Sequence, residues 1–494
     1  MKKNLYKKRN IVIRIFFIIL LISFIILLFP KNFQNDTLFD ISLGKKYITS
    51  GLNTDDSFSI HENLKYTPQH FLVNIITYLI YNKLNFCGLY ILGIILACII
   101  ALLLYILNKL YIKNKLVSYL FVYFELLMFF PFLSVRAQMY SYILFLFEFI
   151  FIELFLRSKN YKYLIPLSIL PLFIINIHSG TIWFYFIIIF VYLFNFITIN
   201  SKKIVYHKEY APNLKYLFIP IIIGFILIFL NPFGIPQLTY TFKTLNNSFI
   251  NTNISEFQPI TLTAVNGIFF YLHLFILFIA LLYTNKKIKL DHILFFLGTT
   301  FMTLLSLRHA SLFIICTTPC IIYLYDSSIY FKEKLYKGIT EKGKIVLKYT
   351  IIFLYLFIIF FSTCTIKTKF PDSYLPKTEY PINSVEYIKE NIGNNSRLYN
   401  QYEYGSLLMF NNIKCFIDSR ADLYTKEYTK DCTIADDYIN IINCTGNYEE
   451  LLSKYDIEYL LIDKESALAK NIFNNIKYEK VFEDDISYVI KVNY

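Results

Sequence analysis

The chain is short of charge. Asp, Glu, Lys and Arg make up 17% of its 494 residues, where a soluble chain of this length carries roughly a quarter. It also lacks a Gly-rich phosphate loop of the GxxxxGK[ST] or GxGxxG kind, which argues against a nucleotide-driven pump or a Rossmann-type nucleotide-sugar enzyme. Its eight cysteines contain no CxxC and no zinc-like spacing. Cys87, Cys98, Cys316, Cys320 and Cys364 lie in or beside apolar runs and read as small core residues. A Cys432–Cys444 disulfide is left open for a domain outside the cell. No internal repeat is visible.

Apolar residues are what the chain has instead: 56% of the total, with 50 Phe and 43 Tyr. They lie in uninterrupted runs of about 17 to 20, the length an α-helix needs to cross a bilayer. Ile11 to Leu28 is typical. Lys2, Lys3, Lys7, Lys8 and Arg9 precede it like the start of a signal peptide, but no small-residue cleavage site follows, so it reads as a retained anchor. The net charge of +13 is spread over short clusters between apolar runs. This fits orientation in a membrane better than a nucleic-acid partner.

The runs fall at 11–29, 87–108, 116–133, 138–156, 163–177, 181–199, 215–231, 266–284, 291–306, 309–326 and 346–365. With the N-terminus inside, every second junction should be basic. Those junctions hold Lys109, Lys113 and Lys115; Arg157, Lys159 and Lys162; Lys202, Lys203 and Lys208; Lys286, Lys287 and Lys289; and Lys332, Lys334 and Lys337. The pattern requires 69–84 to lie as a short amphipathic or re-entrant helix on the outer side. The expected fold is therefore an α-helical polytopic membrane protein of about eleven spans, residues 1–366. A small extracytoplasmic α/β domain, residues 367–494, follows. Its short runs Ile413 to Ile417, Tyr459 to Ile462 and Tyr488 to Val492 read as strands, alternating with helices at Ile382 to Asn391 and Asn447 to Tyr455. Two outward loops, 30–86 and the Asn-rich 232–265, complete that side.

Ionisable groups at span ends are costly without partners, so their placement is informative. On the outer side lie Asp36 and Asp40, Arg136 and Gln138, Asn176 and His178, Asn231, Glu256, and Arg308 with His309. Several spans each delivering Arg or His to one face resembles a site for an anionic group. Taken singly, Asp36 reads as a loop acid, Arg136 as a headgroup anchor, and His178 as an interfacial histidine. Glu125, Glu148 and Glu153 fall inside runs and read as helix-pairing groups. Asp418, Arg420 and Asp422 read as a local ion pair at a strand end rather than a metal site.

The outer loop carries Asp36-Thr-Leu-Phe-Asp40, Gly44, Gly51, Asp56-Ser57-Phe58-Ser59 and Gln69-His70-Phe71-Leu72. Later come Val135-Arg136-Ala137-Gln138, Asn176-Ile177-His178-Ser179-Gly180, Asn231-Pro232-Phe233-Gly234, Glu256-Phe257-Gln258-Pro259 and Leu307-Arg308-His309-Ala310. The tail carries Phe416-Ile417-Asp418-Ser419-Arg420-Ala421-Asp422-Leu423-Tyr424. In this order the segments resemble a bacterial family of type C glycosyltransferase-like membrane proteins, related to the polyprenyl-phosphate-sugar-dependent, protein mannosyltransferase-like superfamily. The chain departs from that pattern in having Phe at the usual Trp positions, His70 at a usual Glu, and Ser419 at a usual Gly.

The resemblance implies transfer of a sugar from a polyprenyl-phosphate donor to an acceptor outside the cytoplasm: a protein, a lipid or a polysaccharide. It implies an inverting displacement with Asp36 as base, aided by Asp40. Arg136, His178, Arg308 and His309 would hold the donor phosphate, and Gln138, Glu256 and His70 would support them. No cofactor is called for, with a divalent cation left open. The competing readings are a transporter or flippase for a lipid-linked or anionic solute, a surface-polysaccharide polymerase or ligase, and a non-catalytic scaffold.

Overall fold

The computed structural model describes residues 2–112, 115–196, 204–205, 211–282, 284, 287–327, 341–365, 374–473 and 475–494. The basic positions Lys113, Lys202, Lys203, Lys208, Lys286, Lys332, Lys334 and Lys337, and the 366/367 boundary, lie outside these residues.

The membrane part is a bundle of helices: α1 (Lys2–Leu28), α2 (Asn35–Ser50), α3 (Phe71–Tyr111), α4 (Lys115–Phe129), α5 (Ala137–Ser158), α6 (Leu164–His178) and α7 (Ile182–Leu193). It continues with α8 (Phe218–Leu227), α9 (Ile235–Leu245), α10 (Ser248–Asn253), α11 (Val265–Leu282), α12 (Leu290–Leu305), α13 (Ala310–Ser327) and α14 (Glu341–Thr365). Among the described residues, five helical stretches are long and apolar enough to cross a membrane: Phe71–Tyr111, Ala137–Ser158, Tyr161–Phe196, Val265–Leu282 and Leu307–Tyr325. Five shorter apolar helices accompany them. Tyr161–Phe196 holds most of two of the expected runs, parted by the 3-10 turn Ser179–Thr181, and the described part of each expected run lies largely on a helix. Large apolar side chains stay exposed on the bundle flank, with Ile226 at 63%, Phe275 at 61%, Phe301 at 65% and Phe353 at 66%. Such a surface suits lipid rather than water.

Buried acids in the bundle behave in two ways. Glu125 accepts from Asn108 at 3.0 Å, and Glu153 accepts from Arg157 at 2.8 Å and from Tyr192 at 3.1 Å. Glu148 departs from the helix-pairing expectation: neither carboxyl oxygen finds a hydrogen-bond partner among the described residues.

The segment 30–86 is more ordered than its turn-rich sequence suggests. Residues 35–50 form α2 because Leu38, Phe39, Ile41, Leu43 and Tyr47 recur at helical spacing and are buried. Gly51, at φ 77°, ends it. α2 packs closely on α3: a Cβ on Gly44 would lie 2.1 Å from the Asn74 carbonyl. α3 is interrupted at Asn85 (φ 53°, ψ −158°), which separates the expected amphipathic segment from the apolar run after it. The 232–265 loop is likewise largely helical, as α9 and α10.

The C-terminal part is an α/β unit on a four-stranded sheet, with β1 (Leu398–Asn400), β2 (Tyr459–Asp463), β3 (Tyr478–Glu483) and β4 (Ser487–Val492) in the order β1-β2-β4-β3. β1 and β2 are parallel, and the other pairs antiparallel. The expected helices are present as Ile382–Asn391 and Tyr448–Lys454. The expected strand at Ile413 to Ile417 is not one. Its backbone partners come from the first loop: Cys415 N donates to Phe58 O at 3.0 Å and accepts at its own carbonyl from Ile60 N at 2.9 Å. All eight cysteines are free, and Cys432 Sγ donates to Tyr424 O instead of bonding Cys444.

Candidate active site

The first turn of α2 carries Asp36, and Asp40 follows one helical turn later on the same face. Asn74 sits on α3 one turn beyond His70, so both reach Asp40. Asp40 Oδ1 accepts from His70 Nε2 at 2.9 Å and from Asn74 Nδ2 at 2.6 Å. Asp40 is 1% exposed. Burial raises its carboxyl above the usual carboxylate value, against the opposing pull of His70.

Arg136 occupies the extended residue just before α5. Its Nη2 pairs with Asp36. Its Nη1 donates to Glu256 Oε1 at 2.5 Å and to Gln34 Oε1 at 3.1 Å. Burial alone would lower the guanidinium's pKa, but Asp36 and Glu256 outweigh it and carry the value up. Burial likewise opposes ionisation of Glu256, and Arg136 overcomes it, leaving that carboxyl below its ordinary value. Glu256 is delivered by the turn Ser255–Phe257, tied to the end of α12 through Ser306 Oγ to Glu256 O at 3.1 Å and Leu307 N to Gln258 O at 2.9 Å.

Arg308 stacks over Phe257 at 5.0 Å and pairs with no carboxylate among the described residues. His178 Nδ1 lies 2.7 Å from Ser141 Oγ, and its ring is 6.1 Å from that of His70.

These groups line one polar cavity of 230 Å³: Asp36, Asp40, His70, Arg136, Gln138, His178, Glu256 and Arg308 all face it. Its roof comes from the C-terminal unit, with Tyr402 and Ser419 to Asp422, and from Tyr66 of the first loop. Burial pushes the Asp422 carboxyl up to about 6. His309 is the exception. It faces a neighbouring groove of 1320 Å³ walled by Phe184, Phe190, Phe225, Ile226 and Leu312. The two spaces share Gln138, His178, Tyr240, Phe257 and Arg308.

Arg420 lines the roof and is itself held by buried carboxylates. It is 2% exposed and pairs at 2.6 Å with both Asp418 and Asp56, under the rings of Phe58 and Tyr66. The local ion pair expected at Asp418 and Arg420 is present, joined by Asp56. Among the described residues no group of three or more His, Cys, Asp or Glu is placed to hold a metal ion.

Sequence reasoning did not single out Asn74, Tyr66, Tyr240 or Tyr402. Asn74 had a readable signal, its i,i+4 spacing from His70. The tyrosines had none in a chain so rich in them.

A bundle of apolar helices with a polar cavity at one end, roofed by a small α/β unit, is the fold of this chain. Solved structures of the oligosaccharyltransferase of Archaeoglobus fulgidus share it. The apo form, and the form tethered to an acceptor peptide containing the NVT sequon, each match at TM-score 0.60 and 11% identity, over 92% of this chain and 69% of theirs. The complex with an inhibitory peptide and a dolichol-phosphate matches at TM-score 0.61 and 10% identity, over 93% and 70%. At such identity the likeness is one of fold. No protein-family model matches the sequence, and no curated protein matches it.

Proposed function

We propose that the chain transfers a sugar from a polyprenyl-phosphate-linked donor to an acceptor outside the cytoplasm, by inverting displacement. The carrying observation is the junction of two unlike spaces at Arg308 and His178. The apolar groove suits a prenyl chain, and the polar cavity suits a sugar and its phosphate. Oligosaccharyltransferase of the same fold has been captured with a dolichol-phosphate, which supports a lipid-phosphate donor here.

Arg308, without a carboxylate partner among the described residues, is the first contact for the donor phosphate. Arg136, His178 and His309 assist, since fixed donors stabilise the charge that develops on the leaving phosphate. Gln138 supports them, and Glu256 holds Arg136 in place until a donor phosphate displaces it. Asp36 and Asp40 place two carboxylates on the acceptor side. On this reading the topology is the eleven-span one, with the N-terminus inside and the C-terminal unit outside, under which this cavity opens at the outer leaflet.

Deleting the gene and analysing surface glycans and polyprenyl-phosphate sugars by mass spectrometry tests the reading. A lost glycan together with an accumulated lipid-linked sugar is expected. No change in either overturns it. A lipid-linked sugar trapped on the inner leaflet would instead support a flippase.

A further inference from the structure

Asp40 and His70 form a buried pair with hydrogen-bonding capacity left over. The Asp40 carboxylate receives the imidazole Nε2 at 2.9 Å and is steadied by Asn74 at 2.6 Å. A carboxylate on one ring nitrogen holds the proton there and leaves the other nitrogen as an acceptor lone pair. That other atom, His70 Nδ1, is buried and has no hydrogen-bond partner among the described residues. Buried polar atoms are nearly always paired, and leaving one unpaired is costly. The His70 ring lines the polar cavity beside Asp36 and Arg136, and on the proposal below its Nδ1 is completed there by a substrate group. The rival base, Asp36, already has its carboxylate engaged by the Arg136 guanidinium.

We infer that His70, oriented by Asp40, is the general base that takes the proton from an acceptor hydroxyl, a role resting on the sugar-transfer reading above. The acceptor O–H bond breaks and its proton goes to His70 Nδ1. The acceptor oxygen bonds to the anomeric carbon as the carbon–oxygen bond to the lipid phosphate breaks. The electron pair of that bond leaves on the phosphate, facing Arg308 and Arg136. Asp40 stabilises the imidazolium until it loses its proton to water. Asp40 is thus a positioning residue and His70 the catalytic one. The charged and titratable groups around the ring are Asp36 and Asp40 on α2, Arg136 ahead of α5, His178 at the end of α6, and Arg308 ahead of α13.

The test uses the purified full-length chain. The donor is the polyprenyl-phosphate glycolipid fraction of a strain lacking the gene, and the acceptor is that strain's surface-glycan fraction. Release of the lipid phosphate is followed by mass spectrometry. His70→Gln and Asp40→Asn are expected to lower kcat by about 100-fold or more, the usual scale of a lost general base, with the donor KM within about twofold. His70→Glu, which supplies a different base at the same place, is expected to recover part of the rate and to move the low-pH limb to lower pH.

Retention of most of kcat by His70→Gln, with Asp36→Asn inactive, would overturn the inference and move the base to Asp36. An active His70→Glu whose pH limb does not move would overturn it as well. Thermal unfolding of each variant separates lost chemistry from lost fold, and if His70→Gln does not fold, the His70→Glu pH limb decides. A gene-deletion strain with neither accumulated donor nor altered glycan removes the sugar-transfer reading and the inference together. An altered glycan with an active His70→Gln removes the inference alone.

Discussion

Arg420 Nη1 sits 2.6 Å from Asp56 Oδ1, joining residues 364 positions apart in the chain. The same guanidinium holds Asp418, and Tyr424 Oη donates to Asp418 at 2.5 Å. The first outer loop and the C-terminal unit therefore meet through buried charge rather than through a loose surface contact. Ser419 to Asp422, which roof the cavity, ride on this junction.

Removing one partner leaves the others buried and unpaired. Arg420→Leu should destabilise the chain by about 3–5 kcal/mol, the usual cost of orphaning a buried ion pair. Limited proteolysis should then cut the first loop and the C-terminal unit sooner. Unchanged proteolysis and melting would show the junction to be dispensable.

Two carboxyls at this end give stability opposite dependences on pH. Arg420 overcomes burial and holds Asp56 at about 2, below its ordinary 3.8, so its contribution is complete above pH 3.8 and fades as pH falls through 2. Asp422 is pushed up to about 6 by burial, so its ionisation above pH 6 opposes folding, and that penalty disappears as pH falls from 6 towards 4. Each shift is worth about 2–3 kcal/mol. The melting temperature should rise from pH 7 to about 5 and drop below about 4. Asp422→Asn should weaken the rise, and Asp56→Asn should weaken the drop.

Glu256 competes with a donor phosphate for Arg136. Glu256→Gln should lower the donor KM by about 1 kcal/mol, roughly fivefold. Arg136→Ala should cut turnover by roughly 100- to 1,000-fold, the scale seen when one charge-stabilising donor is lost. Arg136→Lys should recover little, because an ammonium does not fork between two carboxylates. Steady-state kinetics on the lipid fraction described above reads all three.

Gly44→Ala should loosen the site from a distance. Its methyl would meet the Asn74 carbonyl at 2.1 Å, forcing α2 off α3 at a cost of about 1–3 kcal/mol and parting Asp40 from His70. Lower thermal stability together with reduced kcat is expected. A variant as stable and active as the parent would show that the helices have room to separate.

The groove offers a control on the donor side. Ile187 lines it at 47% exposure, so Ile187→Trp can fill it without opening the core. The donor KM should rise about tenfold or more, the worth of roughly 1.4 kcal/mol of lost binding, while the melting temperature holds.

Much of this was legible beforehand. The apolar runs predicted the helices because bilayer crossing demands length and composition together, and both are local properties. Placement at span ends groups Asp36, Arg136, His178, Glu256 and Arg308 from the sequence alone, since an ionisable residue there needs a partner, and all five line one cavity. α2 was missed although Leu38, Ile41 and Tyr47 carry its period, because Gly44 and Gly51 read as loop residues. Gly44 proved to be a contact residue on a helix, which its immediate neighbours do not reveal.

The sequence by itself determined a membrane bundle with its cations and acids gathered at one face, because hydropathy and charge act along short stretches of chain. Only the tertiary structure decided which acid meets which cation. Asp36 went to Arg136, Asp40 to His70, and Asp56 across the chain to Arg420, while His309 turned to the groove. Those choices depend on helix packing and on a roof delivered from the far end of the chain. Burial makes a wrong pairing costly, so the fold selects one.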